Sequence, residues 1–219
     1  MLKQAFTRIL FRLAVLSIAC GVSLAANPAD RTPQRAVSAA SPLIHPVDTN
    51  APPSHVTIYS NLGSSTDAYD DTNGWLVAGP NSILGESQWI AMPFTPKAKS
   101  TVTKIKIAVE NGAGTNGFTL CLGYPDPGTC LRTWEVTNLP AGGTCCKLDV
   151  VNVKPGIKVK KGKQYWIVAK TDSTNADAYD VWPFTWNDSI GSYAANINNQ
   201  GWMPENGNLS AFGVFGTRP

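Results

Sequence analysis

Histidine is almost absent from this chain: His45 and His55 are the two among 219 residues. A Ser-His-Asp or Cys-His catalytic group would have to recruit one of them, and no Gly-x-Ser-x-Gly turn is present to lift a nucleophile. Glutamate is scarce as well, limited to Glu86, Glu110, Glu135 and Glu205. None of the four sits in a carboxylate cluster on one strand, so the paired acids of a glycosidase have no evident place. Glu110, beside Asn111-Gly112, and Glu135, next to Trp134, read as solvated strand positions. No Cys-x-x-Cys pair exists, which argues against zinc. Beyond the first 26 residues nothing keeps an amphipathic helical period, and no apolar run is long enough to cross a bilayer.

What the N-terminus does contain is an export signal. Lys3, Arg8 and Arg12 precede the apolar run Leu13 to Ala19, and Ser23-Leu24-Ala25 offers small residues to a signal peptidase, so residues 1–26 read as a signal peptide. Ser17-Ile18-Ala19-Cys20 admits lipidation at Cys20 as the alternative. The signal carries three basic and no acidic residues, leaving fifteen of each sign from a total of 18 basic and 15 acidic. A chain of zero net charge gives no electrostatic reason to expect nucleic acid as partner. Cys121, Cys130, Cys145 and Cys146 then remain, an even number suited to disulfides in an oxidising compartment. The expected pairing joins Cys121 and Cys130 each to one of the adjacent pair, because neighbouring residues approach too closely at Cα for an ordinary bridge. A short Cys121–Cys130 bridge with a vicinal or free pair is the other arrangement.

Residues 27–53, rich in Pro, Ala and Ser, read as a disordered tether. From 54 to 219 short alternating segments separated by Gly, Pro and Asn clusters predict one antiparallel β-sandwich of about nine strands. In Val102–Val109, Ile105, Ile107 and Val109 share one face and Lys104 and Lys106 the other. Asn111-Gly112 reads as a tight turn. Further strands are expected around 56–59, 88–92, 118–122, 131–136, 146–153, 158–159, 164–170 and 210–215.

Several stretches resemble the "choice-of-anchor" type of bacterial secreted domain. They are Ile58-Tyr59-Ser60-Asn61-Leu62-Gly63, Gly74-Trp75-Leu76-Val77-Ala78-Gly79, Ala91-Met92-Pro93-Phe94-Thr95-Pro96, Val159-Lys160-Lys161-Gly162-Lys163-Gln164-Tyr165-Trp166-Ile167-Val168, and Ala211-Phe212-Gly213-Val214-Phe215-Gly216. The resemblance implies a jelly-roll-like sandwich, export, and no catalytic residues to carry over. Such modules are often followed by a sorting anchor. Thr217-Arg218-Pro219 carry no apolar tail, so attachment through one is not expected.

Three features bear on ligands. The tetrapeptide Asp-Ala-Tyr-Asp occurs at 67–70 and 177–180, and Asp67, Asp70 and Asp71 are candidates for an irregular Ca²⁺ site; the competing reading is that such residues cap their own turns within two loops. No other cofactor is indicated. Lysines at 154, 158, 160, 161 and 163 are expected to discourage edge pairing of a strand, with an acidic glycan as the other role. Among seven tryptophans, Trp182, Trp186 and Trp202 fall outside the clean strands. With Asn187, Asp188, Asn198, Asn199 and Gln200 nearby, they could form a sugar-stacking platform; alternatively their rings close the core. Trp75, Trp89, Trp134 and Trp166 read as core or strand-face residues. The functional expectation is a non-enzymatic extracellular sandwich whose partner is a glycan or a surface protein, followed by a carbohydrate-binding module and then by a divergent glycosidase.

Overall fold

A computed structural model of the protein describes residues 54–218. The signal peptide, the Cys20 lipidation box and the tether lie outside the described residues. Within them the chain forms thirteen strands and no helix: β1 (His55–Ser60), β2 (Gly74–Ala78), β3 (Gln88–Phe94), β4 (Ser100–Ile107), β5 (Glu110–Ala113), β6 (Gly117–Gly123), β7 (Cys130–Thr137), β8 (Asp149–Val159), β9 (Tyr165–Lys170), β10 (Tyr179–Pro183), β11 (Ile190–Ile197), β12 (Met203–Asn208) and β13 (Phe212–Thr217). All named ladders are antiparallel. The smaller sheet has the order β1-β13-β4-β8. The larger runs β5-β10-β2-β3-β9-β6-β7, and β3 also pairs with β11, which carries β12 at its other side. The fold is the expected all-β sandwich.

Alternation explains the core. Ile105 and Ile107 of β4 are buried, as are Ile90, Met92 and Phe94 of β3 and Phe118, Leu120 and Leu122 of β6; together with Phe212 and Val214 they make one cluster between the sheets. Each side chain removed from water contributes roughly 1.5–3 kcal/mol. On the far side of the large sheet, Ala91, Cys121, Val168 and Ala194 form a second small cluster, covered by Cys130, Trp166 and Trp202.

Four more strands exist than the nine expected. The two short segments around 146–153 and 158–159 are one strand, β8, while β2, β5, β10, β11 and β12 were not anticipated. Asn111-Gly112 is not a turn: both residues lie in β5, and Asn111 pairs with Asp180 of β10.

The cysteine pairing differs from the preferred expectation. Cys121 is bridged to Cys130, with Cα atoms 5.7 Å apart, and Cys145 to Cys146. The antiparallel register of β6 and β7 explains the first bridge, since Gly123 lies opposite Cys130 and brings the two cysteines together on the outer face. Cys146 belongs elsewhere, packed with Ala68, Tyr69, Ala108 and Ala211. Its Sγ accepts a hydrogen bond from the Ala68 amide at 3.3 Å. Peptide mapping under non-reducing conditions is expected to recover the 121–130 link. Replacing both residues by serine should lower stability by about 2.5 kcal/mol, the chain entropy of so short a closed loop. A stability loss below about 0.5 kcal/mol would contradict that assignment.

Candidate functional site

The three loop tryptophans do not form one platform. Trp182 is fully buried, with its Nε1–H donating to the Ala211 carbonyl at 3.1 Å and its ring edge-on to Phe212. It lies in β10 rather than in a loop, and a ring with no exposed face offers nothing to a ligand. Trp202 is half-buried over the Ala91–Cys121–Val168–Ala194 cluster. Trp186 alone of the three is exposed, at 51%, and its ring lies so close to Gly63 that a Cβ there would clash. Asn187 and Asp188 are exposed beside it, but Asn187 Oδ1 accepts from Ser189 at 2.7 Å and Asp188 from Asn208.

The two Asp-Ala-Tyr-Asp copies are also unlike. In the first, Asp70 accepts bonds from the Thr72 amide at 2.8 Å, the Thr72 hydroxyl at 2.6 Å and Asn73 Nδ2 at 2.9 Å. Those bonds, against a desolvation that opposes them, hold its carboxyl below the ordinary range. Its oxygens therefore cap their own loop. Asp67 is exposed and Asp71 half-buried. Among the described residues no three His, Cys, Asp or Glu side chains gather into a metal-binding group. In the second copy Asp177 accepts from Thr115 at 2.6 Å, whereas Asp180 is a buried residue of β10 facing inward with Trp182. The expectation that both copies lie in loops is corrected for the second, whose Tyr179 and Asp180 belong to β10.

Glu110 is likewise not solvated. It is 2% exposed, with Oε2 accepting the Gly143 amide at 2.7 Å and Oε1 lacking a partner. Burial pushes its carboxyl up. Glu110 pairs with Val181 and Asn111 with Asp180, so the two buried carboxylates occupy successive rungs of one ladder and point to opposite faces. They do not form a facing acid pair.

The arrangement best suited to a ligand surrounds Trp89. Since Ile90, Met92 and Phe94 face the core, Trp89 must face outward at the start of β3. It lines an open groove of about 360 Å³ together with Pro80, Ser87, Thr171, Asp172, Asn198 and Asn199. The indole is fixed by its polar edge: Nε1–H donates to Thr171 Oγ1 at 2.9 Å, and Thr171 in turn reaches the Ala78 carbonyl. Thus the π-face, rather than the N–H, is what the ring presents.

Three connections build the walls. The segment after β9 makes a tight Asx turn in which Asp172 Oδ1 accepts the Thr174 amide and hydroxyl, both at 2.7 Å, while the Asp172 amide donates to Asn175 Oδ1. The Thr174 bonds, with help from Thr119, hold the Asp172 carboxyl below the usual range, so it is ionised at neutral pH. Gly79 lets the loop after β2 lie against this turn, because a Cβ there would meet the Ala176 carbonyl. The turn after β11 places Asn198 and Asn199 in succession with φ of 53° and 55°. Asparagine tolerates this left-handed conformation, which costs energy and recurs at functional sites. Asn198 is anchored to Ser87 and Glu86, and Asn199 keeps its side chain at the rim.

Two further polar groups stand on the same face. Thr119, opposite Lys170 in the ladder, donates its single hydroxyl proton toward Glu135 at 3.1 Å or Asp172 at 3.0 Å. Asn196, directly opposite Trp89, is 3% exposed and its Oδ1 has no hydrogen-bond partner. The sequence reading missed Trp89 as a site residue, although the alternation of Ile90, Met92 and Phe94 in the segment 88–94 was sufficient to turn it outward.

Compared with protein families, with curated proteins and with solved structures, the chain matches none.

Proposed function

We propose that this protein is an exported, non-enzymatic carbohydrate-binding sandwich that holds a neutral sugar against Trp89. The observation that carries the proposal is the chemistry of the groove: one indole held by its polar edge, ringed by an ionised Asp172, Ser87, Ser173, Asn198 and Asn199. A pyranose has an apolar C–H face and a rim of hydroxyls, and that division matches a stacking ring bordered by acceptors and amides. Asp172 carries no proton at neutral pH, and Glu135, which shares the Thr119 hydroxyl with it, stands outside the groove lining, which favours binding over glycoside cleavage. Export is supported by the positively charged, apolar N-terminus and by the two disulfides.

The test is affinity electrophoresis of the chain without residues 1–26 through gels containing neutral polysaccharides. Retardation by at least one of them is expected, and Trp89→Ala should abolish it, a loss of about 1.5–3 kcal/mol in binding. Trp186→Ala should leave it intact. Retardation that survives Trp89→Ala and disappears with Trp186→Ala would move the site to the exposed loop and refute the assignment.

A further inference from the structure

The other outer face of the sandwich has a different chemistry. Lys104 and Lys106 alternate with the core residues Ile105 and Ile107 and therefore point away from the large sheet. Three rungs cross this face. His55 pairs with Thr217, Thr217 with Thr101, and Thr101 with Lys158. Thr57 pairs with Phe215, Phe215 with Lys104, and Lys104 with Asn152. Ser60 pairs with Gly213, Gly213 with Lys106, and Lys106 with Val150. Lys154 follows Asn152 on the same side of β8 and is exposed. A groove of about 400 Å³ runs over the face between His55, Thr103, Lys104, Lys106 and Phe215.

Four lysines thus stand on a surface where, among the residues of these four strands, the one other ionisable side chain turned outward is His55. In β1, β4, β8 and β13 the sole acidic residue is Asp149. It pairs with the buried Ile107 and is turned inward. This segregation arises in a folded region with equal numbers of acidic and basic residues, thirteen of each over residues 54–219. Edge protection accounts for lysines on β8, which borders its sheet. It does not account for Lys104 and Lys106, because β4 is flanked by β13 and β8 and has no free edge.

We propose that this face binds a linear acidic polysaccharide. Lysines two apart on one strand stand about 7 Å from each other. That interval is comparable to the spacing of anions along a polymer of acidic sugars, and threonine, serine and asparagine between them supply donors and acceptors for its hydroxyls. The cations are point charges on flexible stems rather than guanidinium forks, so they suit repeated carboxylates or sulfates without demanding one geometry. Phe215, the aromatic ring in this groove, is already covered by the Lys106 ammonium at 5.5 Å, which leaves no platform for stacked nucleobases. The site lies on the opposite side of the sandwich from Trp89, so its test is independent of the neutral-sugar reading.

The experiment measures binding of the chain without residues 1–26 to polygalacturonate at low salt. Saturable binding is expected, weakened strongly at about 0.5 M salt, where screening lengths shrink to a few ångström. Lys104→Gln with Lys106→Gln should weaken it at least about tenfold, while Trp89→Ala and the loop pair Lys161→Gln with Lys163→Gln should change it less than about threefold. Circular dichroism establishes that each variant is folded. No binding at low salt, equal loss with the loop pair, or binding only to vesicles containing anionic lipid would each overturn the proposal.

Discussion

Trp182→Ala is expected to lower the stability of the domain by about 3–5 kcal/mol, the range for removing a large aromatic ring from a packed core. The ring fills the space between β10 and β13 against Phe212, and it belongs to the same cluster as Met92, Phe94 and Val214. The void left behind is lined on every side, so little relaxation can close it. In denaturant titration the midpoint should fall steeply, whereas Trp186→Ala, at a half-exposed ring, should shift stability by about 1 kcal/mol or less. Near-wild-type stability for Trp182→Ala would show that the ring is not where the core places it. This comparison also separates folding from binding, since a sugar-binding defect in a Trp182 variant would report collapse rather than a lost contact.

Stability should fall as the pH rises from about 4 to 8, and Asp180 should be the main cause. Its carboxyl is buried beside Trp182, with Oδ1 accepting from Asn111 Nδ2 at 2.9 Å and Oδ2 unpartnered. Burial raises its pKa from 3.8 to about 7, the Asn111 bond acting in the opposite direction. Between those values the folded chain holds a proton that the unfolded chain has released. The stability carried by the protonated form is therefore full below about pH 3.8 and is lost as the pH climbs through about 7. Integrated over that window, the loss is roughly 4 kcal/mol. Glu110 and Asp149, both raised by burial, slope the same way. Asp70, Asp172 and Asp177, all lowered, slope oppositely and act below their ordinary pKa. Asp180→Asn should flatten the profile between pH 5 and 8 and be more stable than the parent at the upper end. A parent stability that rises across this window, or a variant with an unchanged slope, would contradict the account.

These two residues also show where sequence reasoning stops. In β4 the pattern is plain, because isoleucines alternate with lysines and the buried face names itself. In β10 the inward positions are Asp180 and Trp182 while Tyr179 and Val181 are half-buried outside, so the binary pattern points the wrong way. A carboxylate facing the core and a proline at Pro183 make the segment look like a loop, and the strand is recovered only through its ladders with β2 and β5. β12 is mostly exposed along its length and carries no apolar period at all. Its position is set by pairing with β11, a tertiary fact.

For the candidate site, the residue types were legible but their grouping was not. Trp89 belongs to a strand whose alternation turns it outward, while Asp172, Asn198 and Asn199 arrive from two connections far away in sequence. Short Asp and Asn residues are written all along this chain, and composition does not say which of them cap turns and which line a groove. The disulfide bridging Cys121 and Cys130 follows from the β6–β7 register, which four cysteine positions alone leave open.

The most direct test of the central claim is a two-dimensional ¹H–¹⁵N spectrum of the chain without residues 1–26, titrated with the neutral oligosaccharide that retards it best. The account predicts that the Trp89 indole signal and the backbone amides of Asp172, Asn198 and Asn199 move together and saturate with one dissociation constant, while the Trp182 and Trp186 indole signals stay in place. Saturating shifts at Trp186, Asn187 and Asp188 with Trp89 unmoved would contradict it.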